Sequence, residues 1–197
     1  MCNEVRRLVA LGEIVDAFSQ QRIPLRFPEG LPNLAPLESI RITDPAAVVR
    51  SADAGPELVV RRWSWPGLGG KPVYNMRSDG RDFRTGRCLI VVDGFYEFTT
   101  PADPPPGQPK PKRKHKWLFT QPNEPCFCIA GLWRTTPVGE AFTLLTAEPG
   151  PDIAPYHSRQ VAMLHRDDWS RWLDPQVPAA QLIGPLPAGT LTVEQVA

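Results

Sequence analysis

The sequence has little of what would commit a protein to a membrane, a metal or a polyanion through composition. No stretch approaches the ~20 consecutive apolar residues of a membrane span. Charge is nearly balanced: 22 Lys and Arg face 21 Asp and Glu, for a formal net charge of +1. No global field therefore draws the chain to nucleic acid, and such binding would have to come from a local patch. The four cysteines are Cys2, Cys88, Cys126 and Cys128. Cys126 and Cys128 would face the same side of a strand, but a zinc site needs two further ligands and no second close pair exists. Buried core thiols are the plainer reading. Four cysteines can pair in three ways, but a cytosolic chain keeps them reduced. Residues 1–7 show no apolar core followed by a small-residue cleavage site, so a cytoplasmic location is the expectation. No internal repeat is present.

Proline, by contrast, is abundant. There are 24 prolines in 197 residues, well above the usual ~5%. This predicts short elements with long irregular connections rather than a helical bundle. The length suits a single domain with a real core.

Residues 5–20 carry Val5, Leu8, Val9, Ile14, Val15 and Phe18 near helical spacing, with Gly12 as a weak point. Residues 57–65 read as a strand, and 67–71 as a turn-rich break. The continuous apolar run 88–92 predicts a buried strand, Asp93-Gly94 a turn, and 95–99 an alternating strand with Glu97 between aromatics. Residues 101–116 form a proline-rich segment ending in Lys110, Lys112, Arg113, Lys114, His115 and Lys116. It reads as a solvated basic loop, with contact to a phosphate backbone as the alternative. Strands are expected at 116–120, 126–134 and 141–147. Asp167 is expected to cap a short helix through Trp169, Trp172 and Leu173 that ends at Pro175. Together these predict a β-rich α+β domain with a folded-over or barrel-like, mainly antiparallel sheet and a few short helices. One domain is expected over 1–175, with 176–197 as a tail packed on it.

Several residues could carry chemistry. Cys2 follows the initiator methionine, and its small side chain permits removal of Met1. The product would hold a free α-amine and a thiol on adjacent carbons. An α-amine with a pKa of ~8 is partly neutral at pH 7, and the thiolate is a strong nucleophile. Such a 1,2-aminothiol condenses with an aldehyde to an imine, which the sulfur closes to a thiazolidine. A tolerated second residue is the plainer reading of Cys2 on position alone. Glu97 among Phe95, Tyr96 and Phe98 would have its pKa raised by desolvation, suiting it to acid–base work; a solvated edge-strand glutamate is the alternative. His157 could shuttle protons near neutral pH or be structural. Asn75 and Arg77, at alternate positions of an extended segment, would share a face and suit a polar intermediate beside a phosphate; taken singly, each could be a plain surface residue.

These residues fall in a familiar order. Met1-Cys2-Asn3, the 74–79 segment (YNMRSD), Phe83-Arg84, the 87–90 segment (RCLI), the 93–97 segment (DGFYE), the 130–133 segment (AGLW), the 142–146 segment (FTLLT) and the 155–159 segment (PYHSR) run in one series. Together they resemble the SRAP family of SOS response-associated peptidase-like, abasic-site processing proteins, over nearly the whole chain. The resemblance implies a SRAP-type fold, autocatalytic loss of Met1, and a thiazolidine crosslink between Cys2 and ring-opened abasic sites in single-stranded DNA. It implies that Cys2 is the nucleophile, Asn75 positions the amine, Glu97 moves protons, and His157 helps open the sugar ring and assists reversal. Arg77 matches a phosphate-contacting arginine, and Trp63, Arg84, Thr146 and Arg159 would face DNA. A monomer needing no cofactor and no metal is implied, with abasic-site DNA as the partner and no membrane.

This chain departs from that pattern in several places. Asn3-Glu4 stand where Gly-Arg is usual, Ser64 where glycine follows Trp63, Asp79 where glutamate is expected, Phe98 for tryptophan, and Gln160-Val161 for Met-Pro. Two other functions stay open: a cysteine peptidase pairing Cys2 with His157 against other proteins, and a non-covalent single-strand binder.

Overall fold

A computed structural model describes residues 2–102 and 113–197. In chain order the strands are β1 (Glu4–Arg7), β2 (Leu37–Arg41), β3 (Pro45–Arg50), β4 (Glu57–Trp63), β5 (Trp65–Pro66), β6 (Pro72–Val73), β7 (Asn75–Arg77) and β8 (Arg87–Val92). They continue with β9 (Gly94–Thr99), β10 (His115–Thr120), β11 (Phe127–Thr136), β12 (Gly139–Ala147), β13 (Gln160–Val161), β14 (Met163–Leu164) and β15 (Thr192–Gln195). Among the described residues two α-helices, α1 (Leu11–Gln20) and α2 (Trp169–Leu173), accompany them. The protein is a strand-rich α+β fold, as its punctuation by proline and short apolar runs predicts.

Pairing closes part of the larger sheet on itself. β12 pairs β4, β4 pairs β3, β3 pairs β8, β8 pairs β11, and β11 returns to β12. Closure removes the exposed strand edges that an open sheet would have to protect. Most pairings are antiparallel; β12 runs parallel to β4 near one end and parallel to β7 near the other. The second sheet has the order β15-β10-β9-β1-β2, so the segment after Pro175 ends as an edge strand beside β10.

Alternation along the barrel strands sorts side chains into two cores. Val48, Val59, Ile90 and Val92 pack inward with Trp63 and Phe142, and this core also takes Val5, Phe95 and Phe119 from the second sheet. Val49, Leu58, Leu89 and Val91 pack outward against Ile14 and Phe18 of α1 and Trp169 and Trp172 of α2. β8 is thus buried on both faces, which explains its unbroken apolar run. Cys126 and Cys128 share the helix-side core while Phe127 between them faces the other one, as the period of two requires.

Three local expectations are corrected. The helical spacing over 5–20 divides into a strand and a helix: β1 is held between β2 and β9, so sheet pairing overrides the local period. The strand expected over 57–65 breaks at Ser64, which has φ +80°. Its N–H donates to the Phe142 carbonyl at 2.7 Å, which forces the left-handed turn. Asp167 does not cap the short helix; its backbone N–H instead donates to the His165 side chain at the preceding 3-10 turn. Most of the proline-rich basic segment, 103–112, lies outside the described residues.

Ser64 and Gly131 test this packing. A left-handed conformation costs an L-residue about 1–2 kcal/mol, partly offset by glycine's greater unfolded freedom. Ser64→Gly is therefore expected to stabilise by roughly 0.5–1 kcal/mol. A Cβ on Gly131 would sit 2.2 Å from Ile90 Cδ1 and 2.7 Å from the Thr143 carbonyl oxygen. Gly131→Ala is expected to destabilise by about 1–3 kcal/mol. Urea unfolding checks both; a destabilised Ser64→Gly would refute the strain at that turn.

Candidate active site

The site is assembled at the seam between the two sheets. Cys2 lies just ahead of β1, buried to 1% exposure among the inward-facing residues of the barrel core. Its thiol donates to the Glu4 carbonyl at 3.3 Å. β1 is fixed by two polar anchors. At one end Asp93 takes the N–H groups of Leu8 and Val9 on one carboxylate oxygen, and Arg6 Nε at 2.7 Å on the other. At the other end Glu4, 4% exposed, accepts from Lys116 Nζ at 2.7 Å. That ammonium sits 3.8 Å from the Tyr96 ring centroid. Glu4, which departs from the expected arginine, is thus a buried strand tether.

Asn75 opens β7. The parallel pairing of Asn75 with Leu144 and Arg77 with Thr146 carries it to the seam. Its Nδ2 donates to the Cys2 carbonyl at 2.6 Å, and its Oδ1 is buried without a hydrogen-bond partner among the described residues. Glu97 comes from the middle of β9, opposite Trp117 of β10, and is 2% exposed. His157 precedes β13 in a turn where Arg159 offers its Nδ1 both a backbone N–H at 2.9 Å and a carbonyl at 3.1 Å. That pair of partners accommodates either tautomer or the imidazolium. Glu97 and His157 line a cavity of about 350 Å³ with Asn3, Phe98 and Lys114. The four sequence-selected residues Cys2, Asn75, Glu97 and His157 therefore converge from four separate segments.

Burial sets the electrostatics. Desolvation raises the Glu97 carboxyl to about 7, opposed first by the charge and hydrogen bond of the amino terminus and then by a backbone hydrogen bond from Cys2. Desolvation and the Glu97 carboxylate push the Cys2 thiol far above its ordinary value. Burial and then the amino-terminal charge lower the His157 imidazole, opposed by its hydrogen bond to Arg159. Near pH 7 the thiol is protonated, the imidazole is mostly neutral, and Glu97 stands close to half-ionised, able to take or give a proton.

The residues expected at a DNA surface divide differently. Trp63 is 0% exposed, with its indole N–H donated to the Tyr74 carbonyl at 2.9 Å; a ring enclosed in the core cannot stack on a base. Thr146 is also 0% exposed, and its hydroxyl faces the Met76 carbonyl at 3.4 Å. Both are corrected to interior positions. Arg159 is 11% exposed and ion-paired to Asp79 at 2.6 Å. Arg77 is exposed, and Arg84 is 71% exposed beside Asp82 at 2.9 Å. Lys114, from the end of the basic segment, and Phe98 reach the cavity. The basic cluster in the sequence contains both Lys114 and Lys116, but nothing local distinguishes Lys116, or Asp93, as an anchor of β1.

A larger cavity, about 430 Å³, opens beside Asp79, Arg81 and Asp82 and contains none of the four converging residues. Size alone would misplace the site. Among the described residues, no group of three or more His, Cys, Asp or Glu could hold a metal ion. No helix of the described residues is long and apolar enough to cross a membrane.

The model of the SRAP family, SOS response associated peptidase, matches residues 1–197. No curated protein matches the chain in sequence. Among solved structures, a protein from Bacteroides thetaiotaomicron is similar with a TM-score of 0.75 at 15% identity, covering 100% of this chain and 92% of its own. A Bordetella bronchiseptica protein gives 0.70 at 20% identity with 100% of both chains covered. A phage-related protein from Bordetella bronchiseptica gives 0.70 at 17% identity, covering 99% of this chain and 94% of that one. At these identities the likeness concerns the fold.

The raised Glu97 carboxyl has a consequence for stability. Unfolded, the group titrates near its ordinary 4.5; folded, near 7. Between these values the folded state keeps a proton that the unfolded state has released, so this contribution to stability is lost as pH rises from about 4.5 through 7. Glu97→Gln, neutral throughout, is expected to be more stable than the parent at pH 8, by an amount on the order of a few kcal/mol. The difference should vanish near pH 4. Urea unfolding at both pH values checks this, and a difference independent of pH would contradict it.

Proposed function

Because the chain belongs to the SRAP family of SOS response associated peptidases, we propose that it exposes Cys2 by removing Met1 and captures abasic sites in single-stranded DNA as a thiazolidine crosslink. The observation that carries this reading is the placement of Cys2 against Asn75 and beside Glu97, whose carboxyl is raised to about 7 and lines a cavity with His157. Hydrolysis of the Met1–Cys2 peptide consumes one water and leaves the α-amine of Cys2. That amine adds to the C1′ aldehyde of the ring-opened sugar, and loss of water gives an imine. The Cys2 sulfur then adds to the imine carbon, the C=N π bond breaks and the thiol proton ends on the former imine nitrogen, closing a five-membered ring. No bond is oxidised or reduced, so no cofactor is required.

Each neighbour suits one part of this sequence. The Asn75 amide holds the Cys2 carbonyl, which would orient the scissile residue and later the amine. Glu97, near half-ionised, can relay protons during hydrolysis, dehydration and thiol addition. His157 can protonate the sugar ring oxygen as the aldehyde forms. A thiol held protonated by burial favours attack by the amine first and sulfur second. That same protonation weighs against a peptidase acting on other proteins, whose cysteine needs a depressed pKa or an adjacent base. Lys114, Arg77 and Arg84 offer positive charge for phosphates, and the protein would act as a monomer in the cytoplasm.

Incubation with a single-stranded oligonucleotide bearing one abasic site should give a gel-shifted species that survives denaturation and 1 M salt. Cys2→Ala should abolish it, and Glu97→Gln should slow it by roughly 100-fold or more. A complex that dissolves in salt would instead mark a non-covalent single-strand binder. An equal adduct from Cys2→Ala would overturn the proposal.

A further inference from the structure

We infer that Asp79 is a positioning residue: its carboxylate grips Arg159 and through it fixes the turn that presents His157 to the cavity. The contacts form one continuous path. Asp79 Oδ2 lies 2.6 Å from Arg159 Nη2, and Oδ1 lies 3.2 Å from Nη1. This two-point geometry matches a planar guanidinium to a planar carboxylate and fixes orientation as well as distance. The same Nη2 donates to the Thr146 carbonyl at 2.8 Å. That carbonyl also receives the Ser78 N–H and the Ser78 hydroxyl, each at 2.9 Å. Arg159 in turn supplies the backbone N–H that reaches His157 Nδ1 at 2.9 Å.

The path matters because of what it joins. Asp79 lies two residues beyond β7, the strand that carries Asn75; Arg159 lies one residue before β13 and two after His157. β7 and β13 both pair with β12. β13 is only two residues long, and on its other side the turn is held by the His157 N–H on the Ile153 carbonyl at 3.0 Å. The ion pair adds a restraint at the Arg159 end and couples the Asn75 and His157 halves of the site. Arg159, expected at the DNA surface, is largely spent on this link: its side chain is 11% exposed, against 46% for Asp79.

This inference rests on the proposed chemistry only for its kinetic consequence, so a test independent of DNA comes first. Among the described residues, the charged groups near His157 include Glu97 and Lys114 across the cavity and Arg159 in its own turn, with Asp79 behind Arg159; the amino-terminal charge also holds the imidazole down. If Asp79 acted through charge alone, Asp79→Asn would leave the Arg159 cation uncompensated and push the imidazole further down. If it holds the turn, Asp79→Asn releases His157 toward water and the imidazole rises toward its ordinary 6.5. The experiment is a proton and nitrogen NMR titration of the His157 ring in the wild-type full chain, Asp79→Asn, Asp79→Glu and Arg159→Lys, assigned with His157→Gln.

Asp79→Asn and Arg159→Lys should raise the His157 midpoint toward 6.5, while Asp79→Glu, which keeps a carboxylate, should restore the wild-type curve. In single-turnover crosslinking, Asp79→Asn should slow the rate at saturating abasic-site oligonucleotide by roughly 10-fold, as expected for a misplaced catalytic group, with the half-saturating DNA concentration unchanged. An unchanged or lowered midpoint in Asp79→Asn overturns the inference. Should Asp79→Asn fail to fold, the midpoint in Arg159→Lys decides in its place, by the same two outcomes. Wild-type protein that forms no adduct while the His157 midpoint rises in the variants would refute the capture reading and leave the positioning role standing.

Discussion

The fixing of one short strand, Glu4–Arg7, is the constraint on which the rest depends. A thiol at the second residue of a chain would ordinarily sample solvent, because terminal segments are poorly held. Here the Asp93 carboxylate takes two consecutive backbone N–H groups just after the strand, while Glu4 pairs with Lys116 at its start. Ladder pairing on both sides does the rest. Those restraints draw Cys2 into the seam between the closed barrel and the second sheet, where Asn75 meets its carbonyl.

Placement then determines chemistry. The seam that orders Cys2 also desolvates it, and Glu97 with it. Desolvation penalises each charged form, so both the thiol and the carboxyl hold their protons more tightly than they would in water. The effect is costly for stability and useful for proton transfer. A carboxyl near 7 is matched to neutral operating pH, whereas a free glutamate would be almost wholly ionised. The barrel supports this by carrying Asn75 and the His157 turn on opposite sides of a single strand, β12, so two site elements share one rigid register.

Much of this was legible in the sequence, and the failures have identifiable causes. Residues 88–92 announced a doubly buried strand because both of its faces are apolar, and the Cys126–Cys128 pair followed the period of two. The four converging residues were found through their order along the chain, since each alone had a bland explanation. Residues 5–20 misled because Val5 and Val9 fit a helical period by coincidence, while the pairing that makes 4–7 a strand comes from residues 37–41 and 94–95. DNA-facing positions for Trp63 and Thr146 are implied only by the family resemblance, and sequence does not carry sheet curvature; closure of the barrel turns both inward. Ser64 stood out as a departure, and only the backbone shows that it occupies a glycine-like φ. Asp79 was visible as a departure as well, but its ion pair with a residue 80 positions away was not.

The central claim is that residue 2, freed of Met1, is the covalent partner of the DNA. Peptide mapping by mass spectrometry of the adduct formed with an abasic-site oligonucleotide tests it most directly. The account predicts a single modified peptide that begins at Cys2 and carries the sugar remnant on that residue, with its mass showing loss of one water relative to aminothiol plus aldehyde. A remnant attached to a lysine, or to a peptide that still begins at Met1, would contradict it.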